Sequence, residues 1–385
     1  MLAKFKVIFI ISLISLLPTL FIWLPFFIRA ESVWGIPLPK DGMATVVANY
    51  DGPLFLVVAK TFYDPSLTGN YSFGLPNEYY AAHFPLYPLL IRLLSPITGY
   101  PYAMLLVTAL SSILAIYFFY LFIQNYIEKK DALWITLVFS LLPARWLIVR
   151  SVGSTEPLFL ATIIASLYYF KQKKYLLAGV WGLLAQLTKS PGILLFIAYI
   201  FAFFYPRLKE LGDHPANTPF KQSELKKFLS ILLIPFGLIV VFFIYKIQLN
   251  DLFAYFHSGD NIHLFILPFQ IFNYSQSWVG TFWLEEIIFV YLFGLLGLIK
   301  LVKLKDYDLA WFVGIFFFSI LFVSHRDIIR YALPIVPFLF AAFADNLTKN
   351  EFKYAMLVLI IPIYLFSLAY ISQNVMPISD WSPLL

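Results

Sequence analysis

An all-α, polytopic integral membrane fold is predicted for this 385-residue chain by three observations: its composition, the length of its apolar stretches, and the lack of alternation within them. Hydrophobic residues make up 61%, aromatic residues 20% and charged residues only 12%, a balance foreign to water-soluble domains. A hydrocarbon core of about 30 Å needs roughly 20 apolar residues per helix, and the chain supplies about eleven such stretches. Membrane strands alternate between lipid-facing and lumen-facing residues, and these stretches do not, so helices are expected and a barrel is not. The whole chain, 1–385, reads as one integral domain.

The first span, 7–28, follows Lys4 and Lys6. It is long and lacks a small-residue cleavage site before Glu31, so it reads as a retained helix and not as a secretory signal. Residues 29–100 then form the largest non-spanning region, a structured first outer loop carrying Asp41, Asp51, Asp64, Glu78 and His83. Within it, 44–63 reads as an interfacial helix interrupted at Gly52-Pro53. Residues 84–95 read as a second, started by Pro85 and Pro88 and stopped by Pro96. Further spans are expected at 101–124, 131–149, 154–170, 175–189, 191–205, 228–248, 283–300, 309–323, 328–345 and 354–371. The polar segment 206–227 is assigned no chemistry. A second outer loop, 249–282, carries Asp251, His257, Asp260, His263 and Trp278. No solenoid repeat is present.

The formal charge of +6 is a matter of topology, not of nucleic acid. Basic segments recur at alternate loops: Glu128-Lys129-Lys130, Lys171 to Lys174, Arg207 to Lys227, Lys300 to Lys305, and Lys349 to Lys353. The positive-inside rule puts these and the N-terminus in the cytoplasm. Arg92, Arg145, Arg150, Lys189, Lys246, Arg326 and Arg330 fall at or near the opposite helix ends. Singly they read as snorkelling or paired cations; as a group they suggest a site for an anion. The chain has no cysteine, which excludes disulfides and thiolate catalysis.

Asp51, in Asn49-Tyr50-Asp51-Gly52-Pro53, is the leading candidate for chemistry. At an interface, partial desolvation tunes a carboxylate towards general-base work; the alternative is an Asp that caps the helix beginning at Gly52-Pro53. Glu156, at the start of the span opening Gly153-Ser154-Thr155-Glu156-Pro157, suits either a substrate contact or the positive end of a helix capped by Ser154 or Thr155. Lys189 sits in a short apolar hairpin with few protein partners in prospect, which favours a bound phosphate. Arg326 and Arg330, four apart, share one helical face and suit clamping of an anion, unless Asp327 neutralises one of them. The carboxylates form no compact Asp-x-Asp pair, and His257 with His263 matches no ligand spacing, so no metal site is assigned. A phosphate-binding glycine loop and a hydrolase nucleophile motif are both absent.

These residues resemble the membrane glycosyltransferases of the GT-C class, and within it the PIG-V-type mannosyltransferases. The resemblance rests on Tyr50-Asp51-Gly52-Pro53-Leu54-Phe55-Leu56-Val57-Val58-Ala59 and on Phe84-Pro85-Leu86-Tyr87-Pro88-Leu89-Leu90-Ile91-Arg92. Further matches are Ser154 to Phe159, Gly182 to Gly192, Asp251 to Phe256 and Arg330 to Pro337, so that it covers roughly 45–340. The family commonly has Arg-Trp before the Asp, where this chain has Asn49-Tyr50, and Arg where it has Lys189. His83 stands where the family often has an apolar residue.

The resemblance implies a GT-C-like fold and an inverting transfer of a sugar, with mannose favoured, from a polyprenyl-phosphate donor to an acceptor hydroxyl on a glycan, glycolipid or protein. It implies Asp51 as catalytic base, and the donor phosphate is expected on Lys189, Arg326 and Arg330. His83, Tyr87, Arg92, Glu156 and Tyr331 are candidate substrate contacts. No cofactor is assigned, and a divalent cation stays an open option. The expected location is a prokaryotic plasma membrane with the site outside, or the lumenal face of the endoplasmic reticulum in a eukaryote. Two alternatives stay open: a transporter or flippase of lipid-linked glycans, in which the cations bind a moving substrate, and a non-catalytic subunit of a glycosyltransferase complex.

Overall fold

The computed structural model describes residues 2–71, 73–213, 222–273 and 284–385. Trp278 and the last part of the expected second outer loop, 249–282, lie outside the described residues, as does most of the middle of 206–227. The architecture is a helical bundle. Its helices are α1 (Leu2–Phe27), α2 (Met43–Val47), α3 (Gly52–Thr61), α4 (Pro65–Thr68), α5 (Leu86–Thr98), α6 (Tyr100–Ile123), α7 (Lys129–Leu141), α8 (Ala144–Val149), α9 (Glu156–Lys171) and α10 (Tyr175–Thr188). They continue as α11 (Gly192–Asp213), α12 (Gln222–Ile231), α13 (Leu233–Leu249), α14 (Leu284–Lys303), α15 (Tyr307–Ile320), α16 (Ile328–Ala332), α17 (Val336–Ala342), α18 (Ala344–Leu347) and α19 (Asn350–Gln373). The sheet among the described residues is a two-stranded antiparallel ribbon, β1 (Ser32–Val33) with β2 (Ile36–Pro37), pairing Val33 with Ile36.

Among the described residues, four helical stretches are long and apolar enough to cross a membrane: Phe5–Phe27, Tyr100–Ile123, Lys226–Leu249 and Asn350–Gln373. Their outer faces leave large apolar side chains uncovered, including Phe21 at 60%, Ile247 at 77% and Val358 at 72% exposure. Water would not tolerate so continuous an apolar surface, and lipid covers it. The chain is an integral membrane protein.

Most of the other expected stretches are shorter helices, whereas α14 has 20 residues and an exposed apolar face that includes Phe289 and Phe293. In α9 every residue from Glu156 to Leu167 is buried; a helix apolar all round belongs at the centre of a bundle. It packs against α6 and α10, and α10 in turn against α13.

Three expected elements differ in detail. The stretch 131–149 is two helices, α7 and α8, broken at Leu142-Pro143, where the peptide is cis. The stretch 328–345 is α16, a 3-10 turn at Leu333–Ile335, α17 and the start of α18, because Pro334 and Pro337 lack the N–H that a continuous helix requires. Conversely, Pro96 does not stop α5, which runs on to Thr98 and ends at Gly99 with a φ of +75°.

At the α9 end opposite Glu156, one carboxylate ties three elements together. Lys171 Nζ meets both oxygens of Asp306 at 2.7 Å, Tyr126 Oη donates to Oδ2 at 2.6 Å, and Asp306 caps α15 through the Leu309 N–H. Asp306→Ala leaves Lys171 and the Tyr126 hydroxyl without this acceptor, so it is expected to cost about 2 kcal/mol of stability. A lowered thermal midpoint of the purified protein in detergent, with Asp306→Asn between the two, is the check.

Candidate functional site

Asp51 is the residue before α3, and its position comes from backbone chemistry on both sides. Gly52 follows because a Cβ there would lie 2.4 Å from the Val47 carbonyl; only glycine permits so close a turn. Tyr50 precedes with a φ of +50°, a conformation costly for a bulky residue unless its surroundings impose it. They do: its hydroxyl accepts from Arg145 Nη1 at 3.2 Å, its ring lies 5.8 Å from that of Tyr370, and the Arg330 guanidinium sits over it at 4.9 Å.

The segment after α19 straps this turn in place. Met376 N donates to the Ala48 carbonyl at 2.8 Å, and Asn49 pairs with Val375 as an antiparallel bridge. Fully buried Asn49 donates through Nδ2 to the Ile371 carbonyl at 2.7 Å and accepts from Asn374 Nδ2 at 3.2 Å. Asp51 makes no side-chain cap bond with α3, so the capping role is not the one its carboxylate plays. Its side chain is 47% exposed, and it opens into a cavity of about 720 Å³, within the range of small-molecule sites.

Glu156 is the hub of the charges in that cavity. Its side chain is only 5% exposed, and Lys189 Nζ reaches Oε1 at 2.5 Å. Arg330 Nε lies 3.7 Å from the same oxygen, 3.6 Å from Asp327 Oδ2, and Arg330 Nη1 lies 3.9 Å from Asp51 Oδ2. Those are ion-pair distances beyond ordinary hydrogen-bond length, so charge, not directed bonding, holds Arg330 to these three carboxylates. Asp327 is also paired with Arg145, at 2.8 Å, beneath Tyr50. Ser154 Oγ donates to Glu156 Oε2, while Thr155, at the cap position of α9, makes no side-chain cap bond. The α10–α11 hairpin that delivers Lys189 is tight because Gly192 lies against Gln186, where a Cβ would be 2.6 Å from the Gln186 Cα.

The cavity brings together Asp51, His83, Glu156, Lys189, Arg326, Arg330 and Tyr331. Two expected contacts are not among its lining. Tyr87 is fully buried, with its hydroxyl 2.6 Å from Thr108 Oγ1, and serves packing of α5 on α6. Arg92 is exposed on α5. Lys189 is not short of partners, since folding brings Glu156 to it. Arg326 and Arg330 share no helical face either: α16 begins only at Ile328, leaving Arg326 exposed and Arg330 largely covered. Of the other cations grouped with them, Arg150 is buried against the Ser15 carbonyl at 2.8 Å, and Lys246 is exposed beside Asn250. Sequence reasoning missed Tyr79 and Asn261 of the lining, for which a lone polar residue in a loop offers no signal. Among the described residues no group of three or more His, Cys, Asp or Glu side chains could hold a metal ion.

One side of the lining is apolar, including Phe159 and Leu160 of α9, Leu238 and Phe242 of α13, and Phe316 and Ile320 of α15. A charged centre thus opens directly onto an apolar slot between membrane-level helices. Near the charges, the histidines are kept neutral. Burial lowers the pKa of His83 and of His263. Burial, then the Arg330 charge, takes His325 down to about 2, and its Nδ1 accepts from the Asp327 N–H at 3.0 Å.

No protein-family model matches the chain, and no curated protein matches its sequence. Its fold is similar to solved structures of the Archaeoglobus fulgidus oligosaccharyltransferase. The apo form gives a TM-score of 0.51 at 12% identity over 96% of this chain and 56% of that one. The complex with Zn and sulfate gives 0.49 at 16% identity, over 96% and 54%. The chain therefore spans a little over half the length of those proteins. The likeness is one of fold.

The depressed His325 predicts an acid sensitivity. Above its ordinary pKa of 6.5 the ring is neutral in both states; below it the unfolded chain takes up a proton that the folded site refuses. Stability is thus full above about pH 6.5 and declines on acidification, with His83 and His263 acting in the same direction. The thermal midpoint is expected to fall between pH 7 and pH 5, and to fall less steeply in His325→Asn, whose side-chain oxygen can still accept from Asp327 N–H.

Proposed function

We propose that this protein is a glycosyltransferase that moves a sugar from a polyprenyl-phosphate donor to an acceptor hydroxyl, with inversion at the anomeric carbon. The observation that carries the reading is Asp51: half-exposed, uninvolved in capping, and facing a cavity that joins a cluster of cations to an apolar slot. The GT-C-like fold is consistent with it. The PIG-V-type resemblance favours mannose as the sugar.

The acceptor hydroxyl attacks the anomeric carbon and gives its proton to Asp51, while the bond from that carbon to the phosphate oxygen breaks. The phosphodiester becomes a phosphate monoester and gains negative charge. Cations poised where that charge develops lower the barrier, and this is the role of Lys189 and Arg330, with Arg326 at the exposed rim. The phosphate competes with carboxylates for Arg330, which is held at 3.6 to 3.9 Å and can turn to it without breaking short bonds. Glu156 fixes both cations. Tyr331 and His83 line the pocket that receives the substrates, and the isoprenoid lies along Leu238, Phe242, Phe316 and Ile320. No nucleotide is required.

In the membrane, the long apolar helices each contribute one crossing. The N-terminus lies in the cytoplasm and the cavity on the outer or lumenal face. Asp51→Asn is expected to lower turnover of polyprenyl-phosphate mannose by at least about a hundredfold while leaving donor binding intact. Lys189→Ala is expected to raise the donor Kd about tenfold, equivalent to about 1.4 kcal/mol. Release of polyprenyl phosphate by the purified protein, with extracted native glycolipids as acceptors, is the measurement; full turnover by Asp51→Asn would remove Asp51 as the base.

A further inference from the structure

Three walls of different chemistry enclose the cavity. The inner end carries Lys189, Arg330 and Glu156, and the helix side is apolar. The outer wall is built where two loops meet: the 3-10 segment Asn77–Ala82 of the first packs on Ala254–His257 and Gly259–Asn261 of the second. We infer that this wall, formed by Tyr79, His83, Asp260, Asn261 and His263, is a binding site for a neutral carbohydrate. On the reading of the protein as a glycosyltransferase, that carbohydrate is the acceptor.

The wall is a fixed surface. Tyr63 Oη donates to the His83 carbonyl at 2.5 Å and Tyr245 Oη to the Ala81 carbonyl at 2.7 Å. On the second loop, Tyr255 Oη bonds Ser190 Oγ at 2.9 Å, next to Lys189, and Asn261 Nδ2 donates to the Ser258 carbonyl at 2.7 Å. Burial pushes the Tyr79 pKa up to about 12, the Asp260 and Asp51 carboxylates add to the rise, and the neighbouring Asn261 side chain opposes it. A group held against Tyr79 is therefore within the field of Asp51.

The chemistry of the wall selects its ligand. An anion is disfavoured between Asp260 and Asp51, so a phosphate belongs at the inner end. The 3-10 turns of the wall present no open strand edge for a peptide to extend, whereas a sugar meets it through hydroxyls. What it offers is aromatic faces, an amide, a carboxylate and imidazoles held neutral by burial. A neutral imidazole has one donor and one acceptor nitrogen, which matches hydroxyls that both give and take hydrogen bonds. His83 is 4% exposed, with the Tyr80 backbone at its ring, and that ring lies 6.5 Å from the ring of Tyr79, so it backs the wall. The cavity, at about 720 Å³, has room for a sugar here beside a donor headgroup.

Saturation-transfer NMR on the full-length protein in lipid nanodiscs tests this without turnover. The probes are methyl α-D-mannopyranoside, methyl β-D-glucopyranoside and an amidated Asn-Ala-Thr tripeptide. Expected is saturation of at least one glycoside, reduced at least fivefold in Tyr79→Ala and in Asn261→Ala but retained in Lys189→Ala and Asp51→Asn. If Tyr79→Ala does not fold, Asn261→Ala and Tyr79→Phe decide the matter. Absence of any glycoside signal, an equal signal in the folded wall variants, or saturation of the tripeptide instead would overturn the inference. Because Asp51→Asn is read here for binding alone, loss of the transferase reading would leave a positive glycoside result standing as a carbohydrate site of another kind.

Discussion

Charge inside an apolar bundle has to be answered by opposite charge, and the site is organised around that constraint. Glu156 is buried at the start of α9 and would be strongly unfavourable alone. Lys189, from the α10–α11 hairpin, and Arg330, from α16, answer it at 2.5 and 3.7 Å, while Arg145, from α8, answers Asp327 at 2.8 Å. Four separate elements are thereby drawn to one point. Removing any one charge strands its partners, which couples the placement of distant helices to the integrity of the cavity.

The same cluster also explains how Asp51 is aimed. Tyr50 has Arg145 on its hydroxyl and Arg330 on its face, so the ion network grips the residue just before the carboxylate. The strap at 374–376 closes the turn from the other side. The result is a carboxylate 47% exposed on a backbone that has little freedom, the preorganisation that its proposed role as base requires.

Much of the fold was legible in the sequence because lipid exposure demands long apolar runs, and runs are a local property. The interrupted helix around Gly52-Pro53 and the motif residues Asp51, Glu156, Lys189 and Arg330 were legible for a related reason: charge next to apolar spans is conspicuous. Partners were not legible. Lys189 looked isolated because Glu156 is 33 positions away in the chain, and Arg326 with Arg330 looked like one helical face because the helix start at Ile328 depends on packing. Tyr87 stands beside His83 in the same aromatic motif, yet one is tied to Thr108 and the other lines the cavity. A half-turn of backbone decides that.

Composition and apolar run length by themselves determined that this protein is helical and lives in a membrane, since no other arrangement satisfies the backbone in lipid. They also determined that its ionisable groups gather near helix ends. Only the tertiary structure decided which of those groups meet, that the end of the chain holds Asn49 and Tyr50, and that the two loops join into one wall. These include contacts across 325 positions of sequence, set by three-dimensional packing and the pairing of buried charge, neither of which leaves a local trace.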